Sequence, residues 1–217
     1  MQTTPAQRSS LLRIRFARPF HYFILVAAAF FPFLSASAQS SALTASRNLR
    51  QLVTESHTVI QGSVTSVVMQ PHAQWHNLMT VVVTLQVEDA LRGNPGSTYT
   101  FAQAVIDRRD LQQKMGYRAG QHLLLILLKP NVYGLSSPAG MEQGRFTISS
   151  AKDGKSFVAN SIGNAGLFRG LDADLTSSGL RLPAAAQELV AQPKPGPIPL
   201  DQLKSLIRTI SAGSTVP

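Results

Sequence analysis

The run of residues 79–88 constrains the fold more than any other segment, because apolar and polar side chains alternate along it. The apolar positions are Val81, Val83, Leu85 and Val87, and the polar positions between them are mostly threonine, glutamine and glutamate. Successive side chains of a strand point to opposite faces of a sheet. The alternation therefore predicts a strand with one face in the core and the other in water.

A second apolar run, residues 122–128, has no polar interruption after its first residue and ends at Lys129 and Pro130. It is too short for a typical buried helix, so we predict a strand that is buried on both faces. Gly62 predicts a bulge or a bend, and Asp153-Gly154 predicts a hairpin turn. Further short strands are predicted at residues 58–69, 97–104, 132–136, 144–149 and 155–160. This succession is typical of an antiparallel barrel or sandwich.

Helices are predicted at the two ends of this β-rich region. Residues 46–56 carry apolar side chains at helical spacing. Residues 161–217 are expected to form an irregular C-terminal arm, in which the proline-rich linker 192–199 is extended. The arm should end in an amphipathic helix over residues 201–211, whose apolar face consists of Leu203, Leu206, Ile207 and Ile210.

The first residues have the features of an export signal. An apolar stretch, residues 20–34, follows several arginines and precedes Ala36 and Ala38, which suit a cleavage site. We expect residues 1–38 to be a signal peptide that is cleaved near Ala38, so that the protein is periplasmic or extracellular. An uncleaved N-terminal anchor is the alternative, although the stretch is shorter than a typical membrane-spanning helix. No transmembrane segment is expected after cleavage.

Charge and cysteine content exclude several classes of function. The formal net charge is +9, but Arg8, Arg13, Arg15 and Arg18 lie in the expected leader, and the remaining basic residues are scattered. We therefore expect no nucleic-acid partner. The chain has no cysteine, so an exported domain must be stabilised by its apolar core and not by disulfides. Cysteine nucleophiles and cysteine metal ligands are likewise excluded.

A set of short patterns accompanies the predicted strands. These are Val59-Ile60-Gln61-Gly62-Ser63-Val64, a valine-rich strand within residues 81–93 that ends in Val-Glu-Asp-x-Leu-Arg-Gly, residues 120–127 and residues 144–148. Over roughly residues 46–150 the chain resembles uncharacterised exported bacterial proteins with an OB-fold-like barrel, similar in outline to the netrin/TIMP module. The resemblance implies a mainly β fold: a small OB-like antiparallel β-barrel domain at residues 46–160, with an N-terminal helix and a C-terminal amphipathic helix. TIMP-type inhibition uses an N-terminal cysteine, so no functional residue is carried over to this chain.

The candidate binding residues lie in the predicted loop between the strands at 58–69 and 79–88. His72 and His76 flank Trp75. Two histidines four residues apart can bind zinc on a helix, with His57 or His122 as a further ligand. Pro71 instead predicts a loop, in which these residues are exposed polar groups and Trp75 covers the end of the barrel. We expect no metal or other cofactor.

No catalytic set is recognisable in the sequence, because the glycine-rich and nucleophile patterns of common enzymes are missing. We therefore expect a non-enzymatic binding module of the cell envelope or the extracellular space, with a protein or a glycan as partner. Two alternatives stay open. One is a metal-assisted hydrolase that uses the loop histidines, and the other is an accessory to a secreted protease.

Overall fold

The computed structural model describes residues 45–214. The predicted signal peptide, residues 1–38 with its cleavage site near Ala38, lies outside the described residues. The fold is mainly β, and seven strands form one antiparallel sheet in the order β3-β2-β1-β4-β5-β6-β7. The strands are β1 (Thr58–Pro71), β2 (Met79–Arg92), β3 (Thr98–Ala104), β4 (His122–Leu127), β5 (Arg145–Ser150), β6 (Ser156–Asn160) and β7 (Ile198–Pro199). The helices are α1 (Leu49–Glu55), α2 (Arg108–Gln113), α3 (Leu171–Ser177), α4 (Gln187–Ala191) and α5 (Leu200–Gly213), with short 3-10 segments at Lys114–Gly116, Met141–Gly144 and Ala184–Ala186.

The expected closure into a barrel is wrong, because the described edge strands β3 and β7 do not pair with each other. The loop after β4 lies beside β3, where the Ser136 N–H donates to the Ala102 carbonyl oxygen at 2.8 Å. β7 has only two residues and runs directly into α5. The two edge strands therefore do not meet, and the sheet remains open.

Six of the predicted strands are confirmed, whereas the one at residues 132–136 is wrong. There the Asn131 side-chain oxygen accepts hydrogen bonds from the N–H groups of Tyr133 and Leu135, each at 3.0 Å. An asparagine side chain that satisfies nearby backbone donors favours a turn over a strand. The seventh strand is instead β7, at the end of the proline-rich linker.

The irregularity predicted at Gly62 and the hairpin turn predicted at Asp153-Gly154 are both confirmed. The register between β1 and β2 shifts at Gln61/Gly62, where a side chain on Gly62 would overlap the carbonyl oxygen of Gln86. The hairpin between β5 and β6 closes through a 2.8 Å hydrogen bond from the Ala151 N–H to the Lys155 carbonyl oxygen, and Gly154 has φ +82°. Positive φ is readily adopted by glycine, which explains its use at this turn.

The strand β4 is buried on both faces, as its continuous apolar run predicts. Leu123, Leu125 and Leu127 belong to a core cluster that is shared with β1, β2 and β3. Leu124 and Ile126 face the opposite way and belong to a second cluster, which is built mainly with the helices. One sheet therefore separates two cores, and β4 contributes to both.

The N-terminal and C-terminal helices are confirmed, and both pack in the helical cluster. The predicted apolar face of α5 is buried there. At its edge, the Asp89 carboxylate on β2 is 2.6 Å from the Lys204 ammonium and 2.6 Å from the Arg208 guanidinium. Partial burial opposes ionisation of Asp89, but hydrogen bonds and charge from these two cations hold its pKa below the usual value. The ion pairs therefore attach α5 to the sheet.

Residues 161–182 were expected to be irregular, yet they contain α3. Leu167, Leu171 and Leu175 recur every four residues and are buried in the helical cluster. The Asn48 side chain, which caps α1, also donates to the Asp174 carboxylate at 2.6 Å. The arm is thus joined to the core through both apolar contacts and this capping residue. None of the helices between residues 45 and 214 is long and apolar enough to cross a membrane.

Candidate functional site

The loop between β1 and β2 brings together two of the three predicted binding residues. The His72 N–H donates to the Leu78 carbonyl oxygen at 2.7 Å, and the Leu78 N–H donates to the Trp75 carbonyl oxygen at 2.8 Å. These bonds close the loop at the tip of the longest hairpin in the described chain. The His72 and Trp75 rings consequently stack, with centroids 4.8 Å apart and planes inclined by 18°.

A third ring completes this cluster, and it comes from the turn that was expected to be a strand. The Tyr133 ring centroid lies 4.2 Å from that of Trp75, with the planes inclined by 69°. Edge-to-face geometry of this kind is favourable for aromatic pairs. The Asn131 turn therefore has a consequence for the site, since it places Tyr133 against the hairpin tip. We call His72, Trp75 and Tyr133 the aromatic cluster.

Hydrogen bonds at both ring nitrogens fix the orientation of His72. The Nδ1 atom accepts from the N–H groups of Gln74 and Trp75, at 3.2 and 3.3 Å. The Nε2 atom lies 3.0 Å from the carbonyl oxygen of Tyr133, to which it donates in the tautomer that these contacts imply. The ring is buried and fully engaged within the protein, so His72 supports the aromatic surface and has no nitrogen left for a ligand.

Trp75 and Tyr133 remain accessible although they are held in place. Trp75 is 39% exposed and Tyr133 is 49% exposed, and the neighbouring Val132 is 91% exposed. His76, the third predicted residue, lines an open depression of about 560 Å³ together with Trp75. Within residues 45–214, no hydrogen bond or ring contact joins His76 to His72 or Trp75. His76 is therefore at the rim of the cluster and not part of it.

The loop histidines do not assemble a metal centre. Within the described chain, no three His, Cys, Asp or Glu side chains lie close enough to hold a metal ion together. His57 follows α1, and its N–H donates to the Leu127 carbonyl oxygen. His122 begins β4. The hairpin tip instead carries the contacting aromatic rings of the aromatic cluster.

A polar group that the sequence analysis missed lies on the sheet surface, where β1, β2 and β4 adjoin. The Ser63 hydroxyl contacts the Glu88 carboxylate and is 3.1 Å from His122 Nδ1. Glu88 is also bound by the Gln61 amide at 2.9 Å. The hydrogen bond from the Ser63 hydroxyl holds the pKa of Glu88 below its usual value, and interactions with Gln61 and His122 lower this pKa further. No spacing in the sequence indicates this group, because it depends on the register of three strands.

The geometry of this polar group does not match a nucleophilic triad. In such triads the base uses one ring nitrogen toward the hydroxyl and the other toward the carboxylate. Here Ser63 and Glu88 both face Nδ1 of His122, and the Ser63 proton is directed to the carboxylate. The three side chains therefore lack the geometry that would pass a proton from Ser63 through His122 to a substrate. The group links neighbouring strands on the surface.

A second polar cluster, partly buried, lies next to the 3-10 segment Lys114–Gly116. The Arg145 guanidinium lies 4.5 Å from the Tyr117 ring centroid, donates to the Met115 carbonyl oxygen at 2.5 Å and pairs with Glu142 at 2.5 Å. Burial raises the pKa of Tyr117 to about 12, against the opposing charge of Arg145. Burial also raises the pKa of Glu142, and the Asp110 charge adds to this effect while Arg145 opposes it.

This cluster supports an unusual backbone. Lys114 and Met115 have φ of +50° and +52°, which is rare for residues with side chains, and Gly116 follows with φ +74°. The Arg145 bond to the Met115 carbonyl holds the segment in this conformation. Arg145 therefore stabilises the conformation of this segment.

Comparison with protein families, curated proteins and solved structures gave no match to this chain.

Proposed function

We propose that the protein is a non-enzymatic binding module whose contact surface is formed by Trp75 and Tyr133. The observation that carries the proposal is that both rings are accessible and yet fixed by internal contacts. Tryptophan and tyrosine are enriched among residues that dominate binding energy at protein interfaces. Rings that are already ordered lose little side-chain entropy when a partner binds.

A protein partner fits this surface better than a glycan. Val132 adjoins Tyr133 and is almost completely exposed, so the rings continue into an aliphatic surface. The core of a protein interface is more apolar than the rest of the surface, is enriched in aromatic residues and contains few charged ones. Given the export that the leader predicts, the partner would be a protein of the cell envelope or the extracellular space.

The test compares partner recovery by three forms of the protein. The parent, Trp75→Ala and Val68→Ala are immobilised and exposed to envelope extract, and retained proteins are identified by mass spectrometry. Val68 is 46% exposed on the same hairpin but outside the aromatic cluster, so it serves as the matched control. We expect a partner that the parent and Val68→Ala retain and that Trp75→Ala loses.

The affinity for that partner, once purified, gives the quantitative test. Trp75→Ala and Tyr133→Ala should each weaken binding by about tenfold or more, which corresponds to about 1.4 kcal/mol. Urea unfolding of each variant checks that the fold is intact. Equal affinity of the parent and both folded variants would contradict the proposal, and retention of glycans with no protein would assign the surface to sugar recognition.

A further inference from the structure

The strand β1 has a free edge over its second half. β1 pairs with β2 along Val59–Pro71 but with β4 only along Thr58–Ser63, followed by backbone bonds between Val64 and residues 120–121. Gly120, with φ +82°, lies at the turn that precedes β4. Within the described chain, residues 66–71 therefore have a strand neighbour on one side only.

The direction of the unpaired groups follows from the ladder. The His72 N–H bonds to the Leu78 carbonyl oxygen, and hydrogen-bonded pairs alternate along an antiparallel ladder. Gln70/Thr80 and Val68/Val82 are then the bonded pairs with β2. The N–H and C=O groups of Val67 and Met69 consequently point away from β2, toward the free edge.

An open groove of about 510 Å³ lies beside Val67 on this edge. Val67 forms one side, and Gln112, Lys114 and Arg118 are among the residues of the other. Lys114 and Arg118 are exposed, and within residues 45–214 neither has an ion-pair partner. The residues that line the groove include no carboxylate. The groove therefore combines free backbone groups with uncompensated positive charge.

The far wall of the groove is held in place by the protein itself. Arg145 bonds the Met115 carbonyl oxygen and lies over the Tyr117 ring, and its guanidinium is adjacent to Gly116. The edge strand, in turn, has no charged residue between Ser63 and Pro71. Proteins commonly protect such edges with charges, prolines or bulges, and here the register shift at Val64/Ser66 and Pro71 lie at the two ends of the free edge. The stretch between them has none of these features and is suited to pairing with another strand.

We propose that this groove binds an extended acidic peptide segment of a partner protein, which adds a strand to the free edge of β1. The peptide backbone pairs with Val67 and Met69, as in other cases of strand addition. Acidic side chains of the peptide face Lys114 and Arg118. The site is separate from the aromatic cluster and does not depend on the function proposed for it.

The test uses a fluorescently labelled peptide of alternating valine and glutamate, titrated with the full folded protein. Two control peptides separate the contributions: one has alternate amides N-methylated, and the other has lysine in place of glutamate. We expect binding of the first peptide, about tenfold weaker binding of the methylated peptide because hydrogen bonds are lost, and no binding of the lysine peptide. Binding should also weaken with added salt.

Protein variants locate the site. Val67→Pro removes an N–H that faces the groove without removing a bond to β2, and it should weaken binding about tenfold. The double change Lys114→Ala with Arg118→Ala should do the same, whereas Lys152→Ala, at an exposed lysine on the β5–β6 hairpin, should not. Trp75→Ala should leave peptide binding unchanged, which distinguishes this proposal from the preceding one. Urea unfolding confirms that each variant is folded.

Amide NMR spectra give a readout that does not depend on affinity alone. Peptide binding should slow hydrogen exchange at Val67 and Met69. Absence of binding at millimolar peptide, or binding that is insensitive to both N-methylation and Val67→Pro, would overturn the proposal. Concentration-dependent dimerisation that Val67→Pro abolishes would also overturn it, since the edge would then be occupied by a second copy of the chain.

Discussion

Replacing Tyr117 by phenylalanine tests how the buried hydroxyl of Tyr117 affects the stability of the fold. The Tyr117 side chain is fully buried, and its hydroxyl lies 3.2 Å from the Gln103 side-chain oxygen, to which it donates. At neutral pH the variant should be less stable by about 1–2 kcal/mol, because Gln103 loses a buried partner. Removing the hydroxyl of almost any buried tyrosine would destabilise a protein by a similar amount, so the pH dependence of the stability is the decisive measurement.

The pH dependence follows from the raised pKa of Tyr117. Burial raises the pKa of the Tyr117 hydroxyl from the ordinary value of 10.0 to about 12, so above pH 10 the unfolded state releases a proton that the folded state retains. Stability must then fall as the pH rises through this window. A shift of one pKa unit corresponds to 1.36 kcal/mol, so the parent should lose about 2–3 kcal/mol between pH 10 and 12 that the phenylalanine variant keeps.

The assay is urea unfolding of the parent and Tyr117→Phe at several pH values from 9 to 12, with Trp75 fluorescence as the signal that reports unfolding. When the unfolding free energy of the variant is subtracted from that of the parent, the contributions of groups that titrate in both proteins cancel. We expect the variant to be the less stable protein at pH 9 and to approach or pass the parent by pH 12. Tyr133→Phe, at an exposed tyrosine, is the matched control and should lose stability as the parent does. A difference that stays constant from pH 9 to 12 would refute the argument.

Two further predictions concern packing and charge. Gly144→Ala should lower the unfolding free energy, measured in urea titrations, by about 1–3 kcal/mol. The new Cβ would lie 2.7 Å from the Ala139 carbonyl oxygen and 2.9 Å from the Ile126 carbonyl oxygen. An unchanged unfolding free energy would contradict this prediction, because the surrounding backbone would then have moved to accommodate the Cβ. Glu142→Gln should gain stability relative to the parent as pH rises above 4.5, because the raised pKa of Glu142 makes its ionisation unfavourable in the fold. Urea titrations from pH 4 to 7 measure this gain, and parallel curves would contradict it.

The elements of the fold could be predicted because each depends on local spacing. Alternation over residues 79–88 requires a strand, and the recurrence of Leu203, Leu206 and Ile210 requires a helix with one buried face. The continuous run in β4 likewise predicted burial on both sides. Residues 132–136 are the exception, because hydrogen bonds to the Asn131 side chain favour a turn that carries Tyr133 over the predicted strand.

The candidate sites could be predicted only in part. His72 and Trp75 are three residues apart in one loop, so the sequence alone predicts that they lie close together. The contact of Tyr133 with Trp75 could not be predicted in this way. Ser63 and His122 are distant in the chain and meet only because β1 pairs with β4 in one register. The spacing of residues along a chain contains no information about such a register.

The sequence by itself therefore determined a mainly β chain with a helix toward each end of its described part, and which faces of these elements are buried. Only the tertiary structure decided that the sheet stays open, because Ser136 lies beside β3 and β7 is too short to continue it. It also decided that half of β1 is left with a free edge, because the chain turns at Gly120 before β4 begins. Local side-chain spacing selects strands and helices, but pairing between distant segments selects the edges and surfaces at which a partner can bind.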